Sequence, residues 1–277
     1  MKVSIVMASC NPNKELLRLA LKSIIRQSYK DYEVIIVDDG SKEKVESYVN
    51  EITTDSRFKV FRIPHSGLGA ALNFGIEHSS GEYIARLDDD DMMVESRIQK
   101  QIDYLDLHPE VSCVGTWHYD KIDDRCYPHR KFPTKHEEIV KSLLVFRFAL
   151  AHTTLMFRKT SFEKIGGYRI LGGGQDLDLE LQLGTKGKLA NIAEYLNYYN
   201  MSSTGLGTVN PKKYEAYLFA LEDVANRNLY PQYQSIVLNT VKLLKEINKS
   251  PLKNVREKAK RFFLIQRIKL IGKKIHL

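Results

Sequence analysis

Four consecutive carboxylates, Asp88-Asp89-Asp90-Asp91, are the densest piece of potential chemistry in the sequence. Four such charges cannot be buried unpaired, because desolvation costs several kcal/mol for each. At the end of a β-strand they converge as hard oxygen donors, which suits Mg2+ or Mn2+ with phosphate oxygens completing the shell. A divalent ion there neutralises a diphosphate and helps it leave. The ordinary alternative is a solvated acidic loop. A second pair, Asp38-Asp39, precedes Gly40-Ser41. Its oxygens can accept from a pyrimidine imide N–H or ribose hydroxyls, or simply cap a turn, as Asp-Gly-Ser commonly does. Asp176 follows Gly172-Gly173-Gly174-Gln175 at an expected helix start. It is either an acidic cap favoured by the helix dipole or a general base presented from a glycine loop. His152 stays open between a core or capping histidine and a substrate contact.

These side chains are positioned by a repeating pattern of strand and helix. Residues 3–8 form a β-rich apolar run of the kind found in buried parallel strands. Asn11-Pro12 stops that run and can start a helix reaching about residue 27. Strands follow over 33–37, 58–63 and 82–87, with helices over 42–52, which Ser41 can cap, and 67–78. Strands alternating with helices of this length imply βαβ units and an α/β fold, in which ligands bind beyond the carboxyl ends of the strands. Ser9-Cys10-Asn11, Asp38-Asp39 and Asp88 to Asp91 each fall at such an end. Further on, a helix is expected over 94–107 and a strand over 111–116. Residues 119–133 form a hairpin or loop, 136–146 a helix, 155–158 a strand and 175–183 a short helix. After the aromatic run 195–199 and a flexible stretch at 202–207, the pattern is helical to residue 277.

Composition narrows the function class. The 277 residues are 43% hydrophobic and 27% charged, enough for one large domain or a domain with an appendage. Cys10, Cys113 and Cys126 are few and far apart, which argues against a disulfide framework and a cysteine zinc site and for the reducing cytosol. The run at 3–8 is too short for a secretory signal, and the most apolar later stretch, 143–157, is broken by Arg147 and His152, so no membrane span is expected. The net charge is +8, and residues 251–277 carry all of it, with nine Lys/Arg against Glu257 alone. A basic tail on a neutral body does not describe a nucleic-acid binder. Within 253–277, Leu264, Ile268, Ile271 and Ile275 share a helical face among lysines and arginines. That segment either lies on an anionic membrane surface or packs on the main domain or a second subunit.

Taken in order, the segments Val3 to Asn11, Val37-Asp38-Asp39-Gly40-Ser41, Tyr83 to Asp91, His152 to Arg158, Ile165-Gly166-Gly167-Tyr168 and Gly174 to Leu179 resemble the family 2 glycosyltransferases. Those are inverting enzymes of the GT-A fold, a Rossmann-like, mostly parallel sheet flanked by helices. The resemblance implies a catalytic domain over 1–200, with a nucleotide-binding half at 1–91 and an acceptor half at 92–200, and a helical extension over 201–277. It implies a hexosyl group moved from a nucleotide sugar, a UDP-sugar first, to a glycan or lipid-linked acceptor at the cytoplasmic face of the membrane, with Mn2+ or Mg2+ as cofactor. Ala8, Ser9 and Asn11 then lie along the nucleotide, Asp39 meets the uracil, and Asp88 to Asp90 form the DXD element. Asp90, with Asp88, holds the metal, and Asp88 or Asp89 meets the ribose. Asp176 is the base, with Gln175 and His152 on the acceptor side.

Three departures from the family pattern stand out. The family's Ala-Arg-Asn reads Ala71-Leu72-Asn73, which leaves Asn73 as a donor contact and Arg86 to take the missing arginine's place. Its Glu-Asp reads Gln175-Asp176, and its later basic motif is absent from Tyr198-Tyr199-Asn200-Met201. A nucleotidyltransferase on a similar sheet needs a glycine-rich basic loop after the first strand, which Ser9-Cys10-Asn11-Pro12 is not. A non-catalytic binding protein has no need of both Asp90 and Asp176.

Overall fold

Strands β1 (Val3–Ser9) and β2 (Tyr32–Asp39) are buried along nearly their whole length, as apolar strands covered on both faces must be. The computed structural model describes residues 1–201 and 211–248. Between and after these strands come α1 (Lys14–Ile25), α2 (Val45–Asn50), β3 (Phe58–Ile63), α3 (Leu68–Glu77), β4 (Tyr83–Arg86), the short β5 (Met92–Met93) and α4 (Arg97–Leu107). The second half contains β6 (Val111–Ile122), β7 (Arg125–Pro128), α5 (His136–Leu144), a 3-10 turn (His152–Thr154), β8 (Met156–Arg158), α6 (Lys159–Ile165), α7 (Gln175–Leu183) and β9 (Lys188–Asn200). Helices α8 (Pro211–Asn226) and α9 (Gln234–Asn248) close the described chain.

One sheet runs β3-β2-β1-β4-β8-β6-β9-β5, with β7 hanging on β6. Its first four strands are parallel in that order, the βαβ pattern expected from the sequence. β8 joins β4 antiparallel, and β6 pairs antiparallel with β8 but parallel with β9, so the second half of the sheet is mixed. Side chains alternate across the sheet with period two. Val3, Ile5 and Met7 of β1 face a layer containing Leu17, Leu21, Val49 and Ile102, from α1, α2 and α4. Val6, Ile35 and Val37 face the opposite layer, which contains Leu72, Leu143, Phe162 and Leu181. Leu221, Val224, Val237 and Leu244 of α8 and α9 belong to that second cluster, so residues 211–248 share the core of residues 1–200. Arg169 ties it further, pairing with Asp178 of α7 and reaching Asp223 of α8 at 3.1 Å.

Several local expectations gave way. Asn11 does not cap α1; Asn13 does, accepting from the amides of Glu15 (3.0 Å) and Leu16 (3.2 Å). Ser41 does not cap α2 either: its Oγ accepts from the Asn11 amide at 2.8 Å, and Asp38 takes the capping role toward Ser41 N and Val45 N. Residues 119–133 resolve into the β6–β7 hairpin, turned at Asp123 with φ +51°. His152 opens the 3-10 turn ahead of β8. The linker-like stretch at 202–207 and the basic segment 253–277 lie outside the described residues.

Glu33 makes the parallel half acid-sensitive. It is fully buried in β2 and accepts from Ser4 Oγ (2.7 Å), Ser80 N (2.6 Å), Ser80 Oγ (2.7 Å) and Lys59 Nζ (2.9 Å). Burial pushes its carboxyl up, but these bonds, Lys59 first, outweigh burial and hold it down at about 2. Between pH 4.5 and 2 the unfolded chain therefore binds the proton more readily than the folded one. The stabilisation is complete above pH 4.5 and is lost as pH falls through that window. Comparing urea unfolding of wild type and Glu33→Gln from pH 7 down to pH 2, the difference between them is expected to shrink by on the order of 2 kcal/mol. A constant difference would separate Glu33 from the acid response.

Candidate active site

The carboxyl ends of β1, β2 and β4 meet at one edge of the sheet. Parallel register places Ser9 beside Asp38 and Ala8 beside Val37, and Ser9 Oγ donates to Asp89 Oδ2 across 2.6 Å. Asn11 is held at φ +51° just beyond β1, its amide on Ser41 Oγ and its Oδ1 accepting from Lys42 N at 2.9 Å. Asp38 and Asp39 are both buried. Asp38 is paired with Arg62 at 3.2 Å. Asp39 accepts from Ser66 N (2.6 Å) and Gly67 N (3.0 Å) at the start of α3, with His65 Nδ1 at 3.0 Å. The turn between them needs glycine: Gly40 has φ +74°, and a Cβ there would lie 2.8 Å from the His65 amide. Three strand ends are thus tied to one another by side-chain and loop hydrogen bonds.

The four aspartates differ in their surroundings. Asp88 pairs with Arg86 at 2.5 Å, and its amide donates to Thr153 Oγ1 at 3.1 Å. Asp89 is pushed up to about 6 by burial and by the charges of Asp88 and Asp90, against the Ser9 hydrogen bond and Arg86. Asp90 is half-buried, also raised by burial and by Asp88, and its Oδ2 lies 3.5 Å from Asn200 Nδ2. Asp91 is fully buried. One of its oxygens accepts from Asn200 N at 2.8 Å and the other has no hydrogen-bond partner among the described residues. Burial, then Asp88 and Asp90, pushes its carboxyl well above the usual range.

Two buried arginines stand beneath this cluster. Arg97 donates to Gln101 Oε1 (3.0 Å), Asn197 Oδ1 (2.9 Å) and the carbonyl of Arg86 (2.8 Å). Burial pushes Arg97 down to about 9, with Asp91 opposing and Arg86 adding to the shift. No three of the aspartates bring their oxygens within 4.8 Å of one another, so they form no closed protein cage. They suit an ion held by one or two carboxylates with substrate phosphate oxygens filling the rest of its shell.

A second wall comes from the glycine loop and α7. Gly174, at φ +69°, occupies the cap position of α7, so Asp176 is a first-turn acid and not the cap. It is half-buried, with Oδ1 accepting from Leu177 N at 2.9 Å. Gln175 is the first residue of the helix and also half-buried. Asp178, by contrast, is buried in its ion pair with Arg169. His152 Nε2 lies 2.8 Å from Tyr168 Oη. Asn73 holds that loop: Nδ2 donates to the Tyr168 carbonyl and Oδ1 accepts from the Tyr168 amide, each at 2.8 Å. Each end of the Asn73 amide is engaged on main chain by one bond, which leaves one N–H and one lone pair for the expected donor contact.

Residues 4–166 match the family described as Glycosyl transferase family 2. The chain belongs to that family. An uncharacterized glycosyltransferase of Haemophilus influenzae is 30% identical to it over 80% of this chain and 85% of that one. The O-antigen biosynthesis glycosyltransferase WbnJ of Escherichia coli is 27% identical over 87% of this chain and 96% of WbnJ. Longer Rickettsia relatives are spanned for 30% and 42% of their length. Among solved structures, S. aureus TarS 1-349 in complex with UDP-GlcNAc superposes with a TM-score of 0.74 at 17% identity, over 97% of this chain and 80% of that one. The likeness of fold assigns this family 2 glycosyltransferase the GT-A architecture.

Four residues of this glycosyltransferase's site were not singled out from its sequence: Asp91 as distinct from its neighbours, Arg97, Thr153 and Asn200. Asn200 stands where the family's basic motif was sought, and it supplies hydrogen bonds to Asp90 and Asp91 in place of charge. Tyr199 beside it is pushed up by burial and then by the charges of Asp91, Asp88 and Asp90, which places its hydroxyl in their field.

Proposed function

We propose that this family 2 glycosyltransferase moves a sugar, with inversion, from a UDP-sugar to an acceptor hydroxyl, assisted by Mn2+ or Mg2+. The observation that carries the reading is the convergence of three polar strand ends at one edge, with Ser9 beside Asp38 in register and bonded to Asp89. Ala8, Ser9, Asn11 and Asp39 line the nucleotide in this reading, and Asp88 or Asp89 meets the ribose. Asp90, with Asp88, holds the divalent ion, which supplies positive charge to the leaving diphosphate. Arg86 is fully buried behind Asp88, fixes that carboxylate and adds positive potential. The UDP preference draws on the UDP-GlcNAc complex of TarS.

The half-buried Asp176 takes the proton from the acceptor hydroxyl as its oxygen attacks the anomeric carbon. The bond from that carbon to the diphosphate breaks on the opposite face, and the nucleoside diphosphate leaves with the bonding electrons. His152 and Gln175 lie on the acceptor side. The acceptor class is a glycan or lipid-linked glycan, supported by the relation to WbnJ. Among the described residues no helix is long and apolar enough to cross a membrane. Residues 253–277 are basic, with Leu264, Ile268, Ile271 and Ile275 at helical spacing in the sequence, and we assign to them peripheral contact with an anionic leaflet.

The test is a melting-temperature screen of nucleotide sugars with and without Mn2+. At a hundredfold excess over Kd a single-site ligand adds about 2.7 kcal/mol, which raises the melting point by roughly 5–10 °C for a chain of this size. One UDP-sugar acting only with metal is the expected result. No response to any nucleotide sugar under any metal would remove the donor-site reading.

A further inference from the structure

Away from the aspartates, two imidazoles and a carboxylate meet across the β6–β7 hairpin. His118 and Asp120 are alternate residues on one face of β6. His129 follows β7, and its amide donates to the His118 carbonyl at 3.0 Å, which extends the hairpin ladder and puts the two histidines side by side. Their rings stack at 4.4 Å between centroids and 22° between planes. Asp120 lies between their nitrogens: Oδ2 is 2.8 Å from His129 Nδ1, and Oδ1 is 3.3 Å from His118 Nε2. One ligand atom from each residue lies within 4.8 Å of the other two. Phe132 and Tyr199 wall the cluster, with ring centroids 5.6 and 5.5 Å from that of His118.

Hydrogen bonding does not account for this arrangement. His118 is 5% exposed, yet its Nδ1 has no hydrogen-bond partner among the described residues, and the buried Asp120 Oδ1 has none of acceptable geometry. A proton shared between Asp120 and His129 satisfies one side only. Asp120 and His129 are partly open to solvent, with side-chain exposures of 21% and 30%, which leaves room for a water ligand.

We propose that His118, Asp120 and His129 form a second metal site, separate from the aspartates, that takes one transition dication of the Zn2+ class. Two imidazole nitrogens and a carboxylate oxygen make the three-ligand set of an open zinc site, softer than the all-oxygen set at Asp88 to Asp91. The separation of hard and borderline donors lets the two sites hold different ions. Asp120 is in register with Tyr199 of β9, whose neighbour Asn200 bonds Asp90 and Asp91. A bound ion thus pins the two arms of the hairpin together beside the strand that supports the aspartates.

The full chain, stripped with chelator, is titrated with Zn2+ and with Co2+, reading bound metal after gel filtration, visible Co2+ absorption and melting temperature. Asp90→Asn removes the aspartate site from the count and is expected to retain one equivalent of Zn2+. His129→Gln and Asp120→Asn are each expected to weaken that binding on the order of a hundredfold. The metal-free melting point of His129→Gln should match wild type, so that only the metal-induced rise is lost. Three results would overturn the proposal. These are no Zn2+ binding by wild type, leaving a proton as the sole occupant; binding by His129→Gln as tight as that of wild type; or loss of the equivalent in Cys10→Ala with its retention in His129→Gln, which assigns it to the Cys10–Asp39–His65 group.

Discussion

Replacing Asp176 with Asn is expected to lower kcat by about 10²–10⁴-fold while leaving donor binding intact, because the change removes proton acceptance and little else. An asparagine there keeps an oxygen for the Leu177 amide, the one hydrogen bond the carboxylate makes within α7. The residue is half-buried and Gly174 holds the cap, so the fold does not rest on its charge. Asp178, two residues on, is the contrasting case. It is buried against Arg169, which also reaches Asp223, and removing one partner of such a pair costs about 3–5 kcal/mol. Asp178→Asn should therefore lower the melting point, whereas Asp176→Asn should not. Full transfer by Asp176→Asn, with donor affinity unchanged, would take the base role from this residue.

What could be read from the sequence was set by local physics. Buried parallel strands announce themselves as short apolar runs, and β1, β2 and β4 each end in polar residues, so the three clusters at one edge were legible before any contact was known. The start of α7 was also legible from the glycines that precede it, although its leucines, at 177, 179, 181 and 183, recur with a strand's period of two. Contacts between distant segments were not legible. Asn11, Asn13 and Ser41 are all competent caps, and only the approach of the loop after β2 to the end of β1 decides that Asn11 and Ser41 bond each other. Asn73 is read as a donor contact from the family pattern, and its clamp on Tyr168, 95 residues away, is invisible in the sequence. The insertion of β8 antiparallel beside β4 follows from the 3-10 turn before it, whose Thr153 meets Asp88. Likewise His118 and His129 are eleven positions apart, and only the hairpin register makes them neighbours.

Asp90 and Asp91 are identical in type and adjacent, and the structure gives them different surroundings. Asp91 is fully buried beside Arg97 and Arg86, with one oxygen fixed by the Asn200 amide. Its removal leaves the Asn200 amide without its acceptor and a gap in a fully buried position, so Asp91→Ala is a folding defect. Asp90 is half-buried, has only a 3.5 Å contact to Asn200 and is repelled by Asp88. Asp90→Asn therefore relieves repulsion in the metal-free protein, and its melting point should equal or exceed that of wild type. With donor present the sign reverses: the variant has lost the carboxylate assigned to the divalent ion. Its kcat should fall on the order of 10²–10³-fold, the scale of losing one preorganised electrostatic contact to a leaving group. The Mn2+-dependent rise in melting temperature with nucleotide sugar should disappear in the same variant. A variant that is less stable without metal, yet keeps that rise, would exchange the two assignments and make Asp91 the ligand.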